Sequence, residues 1–124
     1  MTEFTFLLPR RMVLSSNDRK HFQVAAAVIH DLRALARLTT VTERVKPMQT
    51  PVRITITFGW PDRRRRDAPN LWPTVKPLID GITDEGVLPD DNDTHVHATT
   101  FQASPELAPK GHVRIHIELQ EVAR

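Results

Sequence analysis

Val52-Arg53-Ile54-Thr55-Ile56-Thr57-Phe58 alternates apolar and polar residues without a break. Successive side chains of an extended strand point to opposite faces, so Val52, Ile54, Ile56 and Phe58 share one face and the pattern predicts a half-buried strand. Gly59-Trp60-Pro61 ends it. The same alternation returns over residues 112–119 (His-Val-Arg-Ile-His-Ile-Glu-Leu), which reads as another strand. Residues 3–8 (Glu-Phe-Thr-Phe-Leu-Leu), stopped by Pro9, read as a first strand, and residues 95–101 as a third.

The intervening segments are helical in period. Asn17-Asp18-Arg19 offers an N-cap, because a short side-chain oxygen accepts from the free N–H groups of a first turn. From there to about Leu38, Phe22, Ala25, Val28, Ile29, Leu32, Leu35 and Ala36 recur at threes and fours and predict one apolar stripe, with Arg33 and Arg37 off it. A second helix is expected to end near Gly86, a natural left-handed residue after a helix. Interior proline loses a hydrogen bond and clashes with the preceding turn, so a start near Thr74 is expected, with Pro77 in the first turn. The order strand, helix, strand, helix, strand, strand implies an α+β fold: a small mixed sheet of about four strands with two helices packed on it. The length of 124 residues corresponds to one domain, 1–124.

Composition narrows the chemistry. The chain is 40% hydrophobic and 26% charged, as in ordinary globular proteins. It has no cysteine, which excludes disulfides and thiolate metal sites and directs any metal toward carboxylate, carbonyl or imidazole ligands. The first residues carry no leader-like basic and apolar run, and no apolar segment reaches the ~20 residues that cross a bilayer, so a cytoplasmic protein without a membrane partner is expected. Net charge is only +2, but it is unevenly placed. Arg10, Arg11, Arg19 and Lys20 lie near the N-terminus, Arg63, Arg64, Arg65 and Arg66 are consecutive, and acidic residues concentrate between Asp80 and Asp93. Two basic places and one acidic place suit a polyanion and a metal.

The segment from Pro61 to Val96 holds Asp67 after one strand, Asp90-Asp91 before the next, and Lys76 between them. Magnesium held by carboxylates polarises a phosphoryl oxygen and lowers the pKa of bound water, and a neighbouring lysine stabilises developing charge. Asp80 reads as a structural hydrogen bond or ion pair within the second helix.

These residues resemble the RusA family of Holliday junction resolvases, whose pattern is a basic run, Asp-x-Asp-Asn-Leu-x-Lys, an aspartate, a glycine and an Asp-Asp pair. The matches are Arg63 to Arg66, Asp67, Asn70, Leu71, Lys76, Asp80, Gly86 and Asp90-Asp91, with Leu8-Pro9 and Asn17-Asp18-Arg19 upstream. The specific part spans about thirty residues. The resemblance implies a homodimeric endodeoxyribonuclease, dependent on Mg2+ or Mn2+ and using no nucleotide cofactor, that resolves four-way junctions in DNA recombination and repair. It implies Asp67, Lys76 and Asp91 as catalytic residues, and Asp67, Asp90 and Asp91 as metal ligands. Branched DNA would then be held by Arg10, Arg11, Arg19, Lys20, Arg63 to Arg66 and Asn70. Two departures stand out. Pro69 occupies the place of the second aspartate, and three extra residues precede Lys76. Asp62, Asp90, Asp93, Asn70 or water would have to fill the vacancy, and the alternative is a branched-DNA-binding protein weakened in or devoid of catalysis. Of the remaining polar residues, His95 with His97, and His112 with His116, share strand faces and read as surface residues. Trp60 and Trp72 flank the basic run, as base-stacking or core side chains.

Overall fold

The computed structural model describes residues 1–19 and 21–123. The elements are β1 (Thr2–Pro9), α1 (Phe22–Thr42), β2 (Val52–Gly59), α2 (Trp72–Asp84), β3 (Val96–Ala103) and β4 (His112–Glu121), with short 3-10 turns at Arg10–Met12 and Ala68–Leu71. The strands form a mixed four-stranded sheet in the order β1-β4-β2-β3. β4 runs antiparallel to both β1 and β2, whereas β2 and β3 are parallel. The expected α+β architecture, with four strands and two helices, is the one the chain adopts.

Alternation decides which face of the sheet is covered. Phe4, Phe6 and Leu8 of β1, Val52, Ile54, Ile56 and Phe58 of β2, and Val113, Ile115, Ile117 and Leu119 of β4 are buried in one core. Leu32 and Ala36 of α1 and Val75, Leu78, Ile79 and Ile82 of α2 complete it. The opposite face presents Thr5, Thr55, Thr57, Arg114, His116 and Glu118, all half-buried or exposed.

Three helix expectations need correction. The cap of α1 is His21, whose ring nitrogen accepts from Gln23 N–H, and not a residue of Asn17-Asp18-Arg19. Asp18 instead accepts from Ser15 N–H and closes a turn ahead of the helix. The stripe is also shorter than its periodicity: Leu32, Ala36 and Thr40 are buried, but Phe22 and Ile29 are 73% and 42% exposed. Helix α1 meets α2 around Ala36, where Gly81 lets the backbones approach. A Cβ at Gly81 would lie 2.4 Å from the Arg33 carbonyl oxygen and 2.7 Å from Ala36 Cβ. The ion pairs Arg33–Asp84, at 2.6 Å, and Arg37–Glu85, at 3.2 Å, flank this contact.

Helix α2 begins at Trp72 rather than near Thr74, so Pro77 lies inside it. An interior proline costs about 3 kcal/mol. Each large apolar side chain buried by the same helix contributes roughly 1.5–3 kcal/mol, and Val75, Leu78, Ile79 and Ile82 together outweigh the loss. Buried Thr74 anchors the helix: its hydroxyl accepts from Leu14 N–H at 2.7 Å and donates to Leu14 carbonyl at 2.6 Å. Gly86 adopts φ +84 beyond the helix end, as its position predicts.

Candidate functional site

Sheet register gathers one set of basic residues. Pro9 pairs with His112 and Gly59 with Arg114, so the end of β1, the start of β4 and the end of β2 lie side by side. Backbone bonds pin the segments that follow: Arg10 N–H donates to Gly111 carbonyl at 3.0 Å, and Ala108 N–H to Trp60 carbonyl at 2.7 Å. The left-handed Gly111 (φ 77) makes the turn into β4. Together they frame an open cavity of about 650 Å3 walled by Val13, Trp60, Pro61 and Val113. Its polar lining is Arg10, Arg64, Arg66, Lys110, His112 and Asp62.

Asp62 is already engaged. Arg66 Nη1 donates to Asp62 Oδ1 at 2.6 Å, and Arg64 N–H to the same oxygen at 3.0 Å. The Arg66 hydrogen bond, reinforced by the Arg64 amide, holds the Asp62 carboxyl down at about 2. The Arg66 guanidinium also lies 4.8 Å from the centre of the Trp60 ring, which in turn stacks on Phe58 at 5.8 Å. Trp60 is thus a wall of the cavity, and Trp72 meets Phe101 edge-on. The run Arg63 to Arg66 divides: Arg66 folds inward, Arg64 lines the cavity, and Arg63 and Arg65 are exposed. Arg11 and Arg19 are exposed apart from the cavity lining, and Lys20 lies outside the described residues. Asn70 acts through its backbone, accepting from Ser16 N–H at 2.8 Å and Ser16 hydroxyl at 3.0 Å.

A second cluster surrounds Lys76. Its ammonium donates to Asp80 at 2.7 Å, one helical turn on, and to Asp91. Burial works against the charged lysine, but the two carboxylates more than offset it and its pKa is raised. The Lys76 hydrogen bond in turn lowers that of Asp91. Both oxygens of Asp90 accept N–H donors, from Asp91 backbone at 2.7 Å and Asn92 side chain at 3.3 Å. Asp67 is exposed ahead of the Ala68–Leu71 turn, and no hydrogen bond or ion pair among the described residues joins its side chain to this cluster.

Magnesium requires several oxygens converging at about 2.0–2.1 Å from the ion. Here an ammonium stands between Asp80 and Asp91. Among the described residues, Asp67, Asp90 and Asp91 do not bring three ligand atoms within metal-binding reach. Lys76 instead holds Asp80 and Asp91 together in an ion-pair network. The expected role of Asp80 as an ion-pair partner matches its place.

Comparison with known proteins returns no matching family model and no matching curated protein. Similar solved structures include the periplasmic domain of Helicobacter pylori MotB. For its residues 90–256 the identity is 11%, the match covers 96% of this chain and 74% of that one, and the TM-score is 0.44. For residues 97–256 the identity is 12%, the coverage 92% and 81%, and the TM-score 0.41. A likeness this weak carries neither fold nor function to this chain.

The RusA resemblance is corrected on these findings. No family model and no curated protein matches, so neither a resolvase model nor a curated resolvase supports it. The carried-over properties fall with it: the nuclease activity on Holliday junctions, a role in recombination and repair, and the homodimer on branched DNA. The cytoplasmic location is withdrawn too: it rested on the first residues and on the lack of a membrane-crossing segment, and neither decides location. The physical reason for the misreading is that arginine runs and Lys–Asp spacings also make surface ion pairs, as Arg66–Asp62 and Lys76–Asp80 do here. No helix among the described residues is long and apolar enough to cross a membrane.

Lys110, Gly111 and Val113 were not singled out from the sequence. The signal that locates them is cross-strand register, since only the pairing of β4 between β1 and β2 brings residue 110 beside residues 10 and 64.

Proposed function

We propose that this chain is a binding domain for a small anionic ligand with an apolar body, a phosphate monoester or a related anion, held in the cavity between Arg10, Arg64, Arg66 and Lys110. The observation that carries the reading is that Arg10, Arg64, Arg66 and Lys110, from three chain segments, line one cavity in which Asp62, the one carboxylate among the described lining residues, is paired with Arg66 and Arg64. A volume of about 650 Å3 suits a small molecule. Val13, Pro61 and Val113 offer apolar contact beside the charges, so the head group supplies electrostatic attraction and the body supplies burial.

Matched probes test this. Calorimetric titration with 1-naphthyl phosphate, 1-naphthol and inorganic phosphate separates head from body. The ester is expected to bind more tightly than either fragment, and more weakly as salt rises. Arg10 and Lys110 are exposed, so each charge contributes about 0.5–1 kcal/mol. Arg10→Gln and Lys110→Gln should each weaken the ester roughly two- to fivefold. Equal affinities for ester and naphthol, or unchanged affinity in both variants, would sink the proposal.

A further inference from the structure

The sheet face turned away from the helices carries a separate cluster that the anion cavity does not use. Glu3 of β1 and Glu118 of β4 are direct cross-strand partners, and the next pair on the same face is Thr5 and His116. His116 Nε2 lies 3.6 Å from Glu3 Oε1 and 3.7 Å from Glu118 Oε1, and the three ligand atoms all lie within 4.8 Å of one another. Nδ1 of the same ring is 2.9 Å from Thr5 Oγ1.

From this geometry we infer that Glu3, His116 and Glu118 form a binding site for a divalent transition metal of the zinc class. Three arguments support it. First, zinc bonds of about 2.0–2.1 Å at tetrahedral angles place neighbouring ligand atoms about 3.3–3.5 Å apart, and the two imidazole–carboxylate separations, at 3.6 and 3.7 Å, need only small adjustment. Second, the Thr5 hydroxyl can accept the Nδ1 proton, which leaves the lone pair of Nε2 facing the carboxylates. This is the outer hydrogen bond that sets the tautomer of a metal-binding histidine. Third, like charges on directly opposed strand positions repel. No lysine or arginine among the described residues pairs with Glu3 or Glu118, so a cation between them relieves that repulsion. An imidazole nitrogen beside carboxylates selects zinc or cobalt over magnesium. The side chains are partly exposed, at 28% for His116, 50% for Glu3 and 35% for Glu118, which leaves room for water as a fourth ligand. A cleft of about 350 Å3, lined by Thr5, Thr57, Glu106, Arg114 and His116, lies beside the cluster.

The test is titration of the full chain with Co2+, followed by visible absorption, and then displacement by Zn2+. One equivalent should bind the wild type. His116→Gln and Glu118→Gln should each lower affinity at least tenfold, and Thr5→Val, which removes only the orienting hydroxyl, should lower it less. His97→Gln, on β3 outside the cluster, should bind as the wild type does. Circular dichroism checks that each variant is folded, and Glu118→Gln on the open face keeps the test decisive if His116→Gln is not. Absence of saturable binding by the wild type would overturn the inference, as would an unchanged affinity and spectrum in a folded His116→Gln or Glu118→Gln.

Discussion

Arg66 does two things with one side chain: it fastens Asp62 and covers Trp60. Because Asp62 is held down at about 2, its contribution to stability is present above the unfolded-state value near 3.8 and is lost only as pH falls through about 2. A carboxyl-detected NMR titration should place the Asp62 midpoint near 2, and Arg66→Gln should raise it toward the ordinary value of about 3.9 without reaching it, since the Arg64 amide still donates. A midpoint unmoved by the substitution would contradict the assigned cause. Lys76 is the counterpart in the acidic cluster. Lys76→Met leaves Asp80 and Asp91 facing each other without a cation, and with the lysine side chain 40% exposed the loss should be about 1 kcal/mol at neutral pH. Asp91 has a lowered folded pKa, so this stabilisation is complete above the unfolded value and fades as pH falls through the folded one. Denaturant midpoints of wild type and variant should therefore converge in acid, and a constant gap would count against the ion pair. Part of this was legible in the sequence. The Lys76–Asp80 spacing of one helical turn predicts a contact, and that contact forms. The Lys76–Asp91 pair was not, because the same residue types serve metal sites and ion pairs and residue 91 lies fifteen positions from the lysine, beyond any local spacing rule.

At the scale of elements, alternation made the strands readable, since β2 and β4 bury every second residue against the helices. Helix α1 was read less well because periodicity reports an apolar face but not how far a partner covers it. The partner, α2, reaches α1 where Gly81 sits against Arg33 and Ala36. In an open helix Gly→Ala gains about 0.5–1 kcal/mol. At Gly81 the new Cβ would lie 2.4 Å from a backbone oxygen, so separation of the helices outweighs that gain. Gly81→Ala should destabilise by roughly 1–3 kcal/mol in urea unfolding. A stabilised variant would mean that the two helices do not pack as described.

For the molecule as a whole, the small net charge conceals a division between the sheet's two uses. One face is sealed by α1 and α2, and the other stays open with Glu3, His116 and Glu118 on it. The anion cavity belongs to the edge where β1 and β2 end and β4 begins. Sequence reading found Arg10, Arg64 and Arg66 as basic residues, but their convergence with Lys110 is a product of the β1-β4-β2 order, which no local pattern encodes. The most direct measurement of the central claim is a 1H–15N NMR titration of the chain with 1-naphthyl phosphate. Saturable shifts are expected at the Trp60 indole N–H, at the amides of Arg64, Arg66 and Gly111 and at His112, with the β3 amides unmoved. Shifts centred elsewhere, or none at all, would contradict the assignment of this cavity as the anion-binding site.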